Sequence, residues 1–214
     1  MYGGAFDPIH FGHLGCIEVL LNGRSVTCGN ETHTIDQVWV VPSDDQRIDK
    51  RCVCSQSIRL HLCRLAIFEL NLHTKGVAVD TVPRTNSAGE VEGGTMALLD
   101  ALSTMFPDTL FLPVIGSELL GSLPTWKQSL RLAQEATFIV IQRHGVSSSQ
   151  LPLMTVLPPT FRIFDPIICS LPTHSSSSIR ALLRSDQSTM PELSKYLPST
   201  VAKHILDNQL YKGF

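Results

Sequence analysis

The sequence predicts an α/β chain built on a doubly wound parallel sheet, and three observations carry that prediction. Short apolar runs, each about one strand long, recur at Gln37–Pro42, Val77–Val82, Thr109–Ile115 and Thr137–Gln142. Segments with helical apolar spacing, such as Gln56–Leu70 and Met96–Met105, lie between them. Near the start, the turn Gly3-Gly4-Ala5-Phe6-Asp7-Pro8-Ile9-His10-Phe11-Gly12-His13-Leu14 runs directly into a helix.

Glycine at positions 3 and 4 lets the backbone turn tightly and approach a ligand closely, and Asp7-Pro8 marks the turn itself. Leu14, Cys16, Ile17, Val19, Leu20 and Leu21 can close one face of the following helix. A turn feeding a helix start gathers free N–H groups and the positive end of the dipole, which suits phosphate. His10 and His13 stand three apart at that entrance, so both rings can face one anion. Neutral, each ring donates a hydrogen bond; protonated, each adds positive charge. Each part alone has a plainer reading, as a simple turn, as surface histidines, or as half of a zinc site. No third ligand follows nearby, and Cys16 belongs to the apolar stripe.

Taken whole, Gly-Gly-x-Phe-Asp-Pro-x-His-x-Gly-His resembles the signature of the nucleotidylyltransferases that carry a His-x-Gly-His motif. Its Gly-Gly start is most similar to the nicotinate/nicotinamide mononucleotide adenylyltransferases. The resemblance implies a Rossmann-like fold and an ATP site that includes Gly3, Gly4, Ala5, Phe6, Asp7, His10, Gly12 and His13. In that family a buried strand leads into the turn, whereas only Met1 and Tyr2 precede it here, so the first strand is expected to be truncated.

The totals fit a globular protein. With 214 residues, 43% hydrophobic and 17% charged, the chain suffices for one nucleotidylyltransferase domain over 1–214, with a C-terminal helical portion from about 175. A formal charge of −2 gives no reason to expect a nucleic acid polymer as partner. No apolar run is long enough for a membrane span, and no basic-then-apolar leader opens the chain. Six scattered cysteines, with Cys52-x-Cys54 lacking a second pair at zinc spacing, read as reduced thiols in the cytoplasm. The oligomeric state stays open, a homo-oligomer included.

Along the chain, 22–36 is polar and aperiodic and reads as a loop without assigned chemistry. Ser43–Ser55 is a charged loop, where a solvated surface is the default; the resemblance implies that its Lys50 reaches substrate phosphates. In the helix Gln56–Leu70, Ile58, Leu62, Leu65, Ala66 and Leu70 form the apolar stripe; Arg59 fits the arginine that the resembling family often carries here, with a helix-surface residue as the default reading. A loop over Arg84–Gly94 precedes Thr95, whose hydroxyl can cap the helix Met96–Met105; the resemblance places that threonine near the mononucleotide. Gly116-Ser117-Glu118-Leu119-Leu120 breaks from the C-terminal end of a strand, where open α/β sheets bind ligands. With Leu123-Pro124-Thr125-Trp126 it resembles the family segment that receives a pyridine ring. Trp126 would stack on the ring, Glu118 and Leu119 would line the mononucleotide, and Gly116 would border the ATP. A lone tryptophan is more often core, and Glu118 stands where the family more often has aspartate. Arg143, ending the strand Thr137–Gln142, either reaches the nucleotide or pins its turn. Residues 146–159 form an exposed connection, and Phe161–Phe164 with Ile167–Ile168 a last strand.

The second anchor is His174-Ser175-Ser176-Ser177-Ser178-Ile179-Arg180. A serine run entering an apolar helix supplies caps, hydroxyls, N–H groups and one arginine, which together suit an anion. It resembles the family's Ser-Ser-Thr-x-Ile-Arg motif, with His174 for an apolar residue and Ser177 for threonine. The resemblance implies that Ser175, Ser176, Ser177, Ile179 and Arg180 hold the outer phosphates of ATP. His10, His13, Lys50 and Arg180 are then the catalytic set, ATP and a pyridine mononucleotide the partners, and magnesium arrives with ATP. A pantetheine-phosphate adenylyltransferase and a non-catalytic nucleotide-binding protein are the other readings. The short start generates one expectation of its own. A brief Val/Ile-rich segment added before Met1 should raise the thermal midpoint, and an unchanged midpoint would count against a truncated strand.

Overall fold

The structure, a computed structural model, describes residues 1–23, 25–28, 30–45, 52–82, 93–143, 161–164, 166–170, 172, 174–185 and 188–212, with only the backbone at Arg143. It divides into two compact units. The first comprises Met1–Gly3, Gly23–Ile35 and Val82–Ser170; the second comprises Gly4–Asn22, Asp36–Thr81 and Leu171–Phe214. Strand β1 (Tyr2–Gly4) is three residues long.

In the first unit, β2 (Ser25–Cys28) and β3 (Glu31–Thr34) form an antiparallel hairpin with Val26 opposite His33 and Thr27 opposite Thr32. This overturns the loop expected over 22–36. Helix α3 (Thr95–Met105) follows, capped by Gly94 with no side-chain bond, so Thr95 is its first helical residue and not its cap. The run expected as a strand over Thr109–Ile115 is strand only in β6 (Val114–Gly116). Pro113 has no N–H to donate, and Thr109 N bonds back to Phe106 O at 3.1 Å. The ladder is nonetheless extended by Met1, whose nitrogen donates to Leu112 O at 2.8 Å and whose carbonyl accepts Val114 N at 2.9 Å.

Helix α4 (Ser129–Glu135) connects β6 to β7 (Thr137–Arg143), and these strands pair in parallel, Ile115 opposite Val140. Parallel neighbours need such a crossover. Beyond β7 lie β8 (Arg162–Ile163) and β9 (Ile167–Cys169), both parallel to it. Their registers, Phe138 with Ile163 and Ile141 with Ile167, differ by one residue, and the single last strand expected there is two short strands.

In the second unit, helix α1 (Phe11–Gly23) buries Leu14, Cys16, Ile17, Leu20 and Leu21. Strands β4 (Val38–Pro42) and β5 (Val77–Val79) pair in parallel, Trp39 opposite Ala78, with helix α2 (Gln56–Glu69) as their crossover. The expected C-terminal helical portion comprises α5 (Ser176–Arg184), α6 (Met190–Leu193) and α7 (Ser199–Asp207).

Helix α7 has no side-chain cap of its own. Glu69, at the end of α2, supplies one: its carboxylate accepts from the N–H and hydroxyl groups of Ser199 and Thr200 at 2.6–2.9 Å. Burial opposes ionisation of Glu69, but those four bonds outweigh it and hold the carboxyl below its usual range. A carboxylate with a depressed folded pKa stabilises the fold above its unfolded pKa and loses that contribution as pH falls through the folded value. Glu69→Gln should therefore lower the thermal midpoint by about 2–4 °C at pH 7. Thermal melts at a series of pH values should show the gap from wild type narrowing below about pH 4.5.

Candidate functional site

The turn after β1 does not form as its glycines suggest. Neither Gly3 nor Gly4 takes a positive φ; Phe6 does, at 48°, and the Asp7–Pro8 peptide is cis. Gly4 is needed for a different reason. The Phe6 ring packs on its Cα, and a Cβ there would lie 2.9 Å from the ring. Asp7 is then turned inward, where its carboxylate accepts Val53 N at 2.7 Å and Cys54 N at 3.2 Å. The Tyr211 phenol is buried nearby, and its pKa is raised by that burial and by the Asp7 charge.

The histidines come together as their spacing predicts. Their rings stack with centroids 3.8 Å apart and 28° between planes, and the Phe6 ring stands edge-on to His13 at 5.0 Å. His10 is 2% exposed, and its Nδ1 accepts Gly12 N at 3.1 Å. A nitrogen that accepts carries no proton, so a neutral His10 presents its N–H at Nε2.

The N-terminus of α1, in contrast, is not the open anion cradle expected from the sequence. Phe11 N bonds Tyr196 O at 3.0 Å, Gly12 N is taken by His10, and His13 N bonds His10 O at 2.8 Å. Its donors are spent on fixing the loop.

The open donors lie on α5. Ser175 is its cap, in a reciprocal box with Ser178, so the Ser175 hydroxyl is committed to the helix. Ser176 directs its hydroxyl to Pro8 O at 3.0 Å. The backbone N–H groups of Ser176 and Ser177 make no hydrogen bond among the described residues. Ile179 is buried and anchors the first turn. Arg180 donates from Nη1 to Asp7 O at 2.6 Å and from Nη2 to Ser177 Oγ at 3.1 Å, with Nη1 3.9 Å from the Asp7 carboxylate. The two anchors are thus joined within the second unit.

Arg59 corrects the sequence reading. It is 0% exposed, although a surface position was expected. Its guanidinium donates to Ala5 O and Ser43 O at 2.6 Å each, to Cys54 O at 3.0 Å and to the Asp45 carboxylate at 2.9 Å. The signal was present in the spacing: Arg59, Leu62, Cys63, Ala66 and Ile67 are the buried positions of α2, an i, i+3, i+4, i+7, i+8 stripe. Reading apolar residues alone had placed Ile58 and Leu65 there, and both are only half-buried.

The residues expected to meet the mononucleotide belong mostly to the first unit. Trp126 is half-buried, donating from its indole N–H to Ser122 Oγ at 3.0 Å and standing edge-on to Phe138 at 6.4 Å. Glu118 is exposed, and its carboxylate folds against the Gly116 Cα, from which it would have to swing aside to admit a Cβ. Leu119 is exposed, Thr95 is half-buried, and Gly3, also of this unit, is exposed. Lys50, the Arg143 side chain, and the loops over 84–92 and 146–159 lie outside the described residues.

Residues 1–182 match the cytidylyltransferase-like family. The chain is 30% identical to the probable nicotinate-nucleotide adenylyltransferase of Halalkalibacterium halodurans, over 99% of this chain and 90% of that protein. It is 26% identical to the protein of that description from Anaeromyxobacter dehalogenans, over 100% and 96% of the two chains. Among solved structures it is similar to the Plasmodium falciparum nicotinic acid mononucleotide adenylyltransferase complexed with NaAD. There the TM-score is 0.70 at 23% identity, covering 98% of this chain and 95% of that one, a likeness that carries the fold.

The packing at Gly12 can be tested directly. A Cβ there would lie 2.9 Å from His10 Cε1 and 3.2 Å from Pro172 O. Gly12→Ala should cost about 1–3 kcal/mol in thermal or urea unfolding. It should also shift the His10 imidazole resonances in NMR spectra, and unshifted resonances would contradict the contact.

Proposed function

Because the chain belongs to the cytidylyltransferase-like family, we propose that it is an adenylyltransferase of NAD biosynthesis, acting in the cytoplasm with 1–214 as one catalytic domain. It transfers AMP from ATP to nicotinate or nicotinamide mononucleotide, releasing pyrophosphate and forming the dinucleotide. The names of the curated relatives favour the nicotinate form as acceptor. The observation that carries the reading is the joining of the two anchors, with Arg180 on α5 bonded to Asp7 in the loop that holds the stacked histidines.

A phosphate oxygen of the mononucleotide attacks the α-phosphorus of ATP, and the bond from that phosphorus to the bridging oxygen of the β-phosphate breaks. The protein's part is positioning and charge neutralisation, with no covalent intermediate on the chain. His10, through Nε2–H, and His13 donate to the α- and β-phosphate oxygens as negative charge shifts toward the leaving group. Arg180, the N–H groups of Ser176 and Ser177 and the Ser177 hydroxyl receive the pyrophosphate. Arg180 does so with the guanidinium N–H groups that its bonds to Asp7 O and Ser177 Oγ leave over, and bonds between charged partners are the stronger kind. Lys50 adds positive charge at the substrate phosphates, and Trp126 stacks on the pyridine ring.

Magnesium neutralises phosphate charge when it enters with ATP. Among the described residues no group of three His, Cys, Asp or Glu side chains is placed to hold a metal, and Asp7 is committed to the Val53 and Cys54 amides.

The test is a coupled pyrophosphate-release assay with ATP and each mononucleotide. Wild type should turn over at least one acceptor. His13→Ala should lose about a hundredfold or more in kcat while keeping its thermal midpoint. A wild type without turnover on either acceptor, or a His13→Ala form of undiminished rate, would overturn the assignment.

A further inference from the structure

A guanidinium as deeply buried as that of Arg59 costs several kcal/mol in lost hydration, and buried ion pairs are weak sources of stability. Among the described residues its one carboxylate partner, Asp45, is half exposed. Its other three partners are neutral carbonyls from separate stretches of chain: Ala5, Ser43 and Cys54. These carbonyls are not scattered. Ala5 immediately precedes Phe6, the residue with φ 48°, whose ring stands against His13. Ser43 holds Gly4 O through its own N–H at 2.8 Å. Cys54 holds the Asp7 carboxylate through its N–H, and Asp7 in turn receives Arg180. Each of the three carbonyl bonds from Arg59 ends within one peptide of a contact that shapes the phosphate-facing loop.

We infer that Arg59 is a positioning residue for adenylyl transfer: its planar fork fixes the loop from three sides and so sets where His13 and Arg180 stand. The inference rests on the functional reading above. Lysine cannot replace the fork, because one tetrahedral nitrogen cannot span three carbonyls set around a plane. An apolar residue would fill the space and leave all three carbonyls without donors. The route to His13 runs through Ala5 and Phe6, and the route to Arg180 runs through Cys54 and Asp7. Asp45 lies on neither route.

The test compares Arg59→Lys and Asp45→Asn with wild type as full-length chains. Rates are measured well below each thermal midpoint and normalised to the folded fraction. Arg59→Lys should lose at least about tenfold in kcat with the KM for ATP changed less than about threefold, the pattern of a displaced transition-state donor. Its histidine ring resonances should move in the substrate-free protein. Asp45→Asn should stay within about twofold of wild-type kcat with those resonances in place. Should the lysine form not fold, Arg59→Gln, which keeps a donor without a buried charge, takes its place. An Arg59 variant with wild-type kcat per folded molecule and unmoved histidine resonances would overturn the inference. So would an Asp45→Asn form as impaired as Arg59→Lys. If wild type releases no pyrophosphate with either acceptor, the functional reading fails, and the histidine resonances still decide the role of Arg59.

Discussion

Asp7 is bonded in two directions at once, and the rest of the loop depends on it. Its carboxylate is satisfied by two backbone amides of the segment before α2, and its carbonyl accepts Arg180 from α5. A buried carboxylate needs such donors, because an unpaired charge away from water is prohibitively costly. The amides fix the carboxylate, the carboxylate fixes the turn, and the turn presents the histidines. Arg59 bonds the carbonyl of Cys54 whose amide bonds Asp7, so the two buried charges are connected through one residue.

This arrangement accounts for an unequal use of two helix starts. Both α1 and α5 follow polar turns, and each would be read from sequence as a place for an anion. The first N–H groups of α1 are consumed by Tyr196 and His10, which locks the loop but leaves the histidine side chains as its donors. On α5 the cap is internal to the helix, made by Ser175 and Ser178, and the amides of Ser176 and Ser177 stay open among the described residues. A rigid donor set on one side and an open one on the other suits a reaction in which charge moves toward a leaving group, since fixed donors need no reorganisation as it moves.

Much of this was legible beforehand, for physical reasons that can be named. Parallel strands buried on both faces leave continuous apolar runs, so β4 and β7 were found close to their true limits. The hairpin of β2 and β3 was not, because its strands are short and largely polar. Its signal was subtler: β-branched residues on either side of Gly29-Asn30, a dipeptide suited to a tight hairpin turn. Thr95 followed a glycine that took the cap position, and a residue already inside the helix cannot also be its N-cap.

The sequence by itself determined the His-x-x-His spacing that stacks two rings at one helix entrance, and the serine run that caps α5. Both are local, settled by residues within one turn of each other. Only the tertiary structure decided which donors remain for a ligand. Hydrogen-bonding groups are allocated among segments far apart in the chain, as between Ser176 and Pro8 or Arg180 and Asp7. Whether Arg59 meets water or three carbonyls was likewise settled by which face of α2 the sheet covers, and burial makes every one of its bonds obligatory.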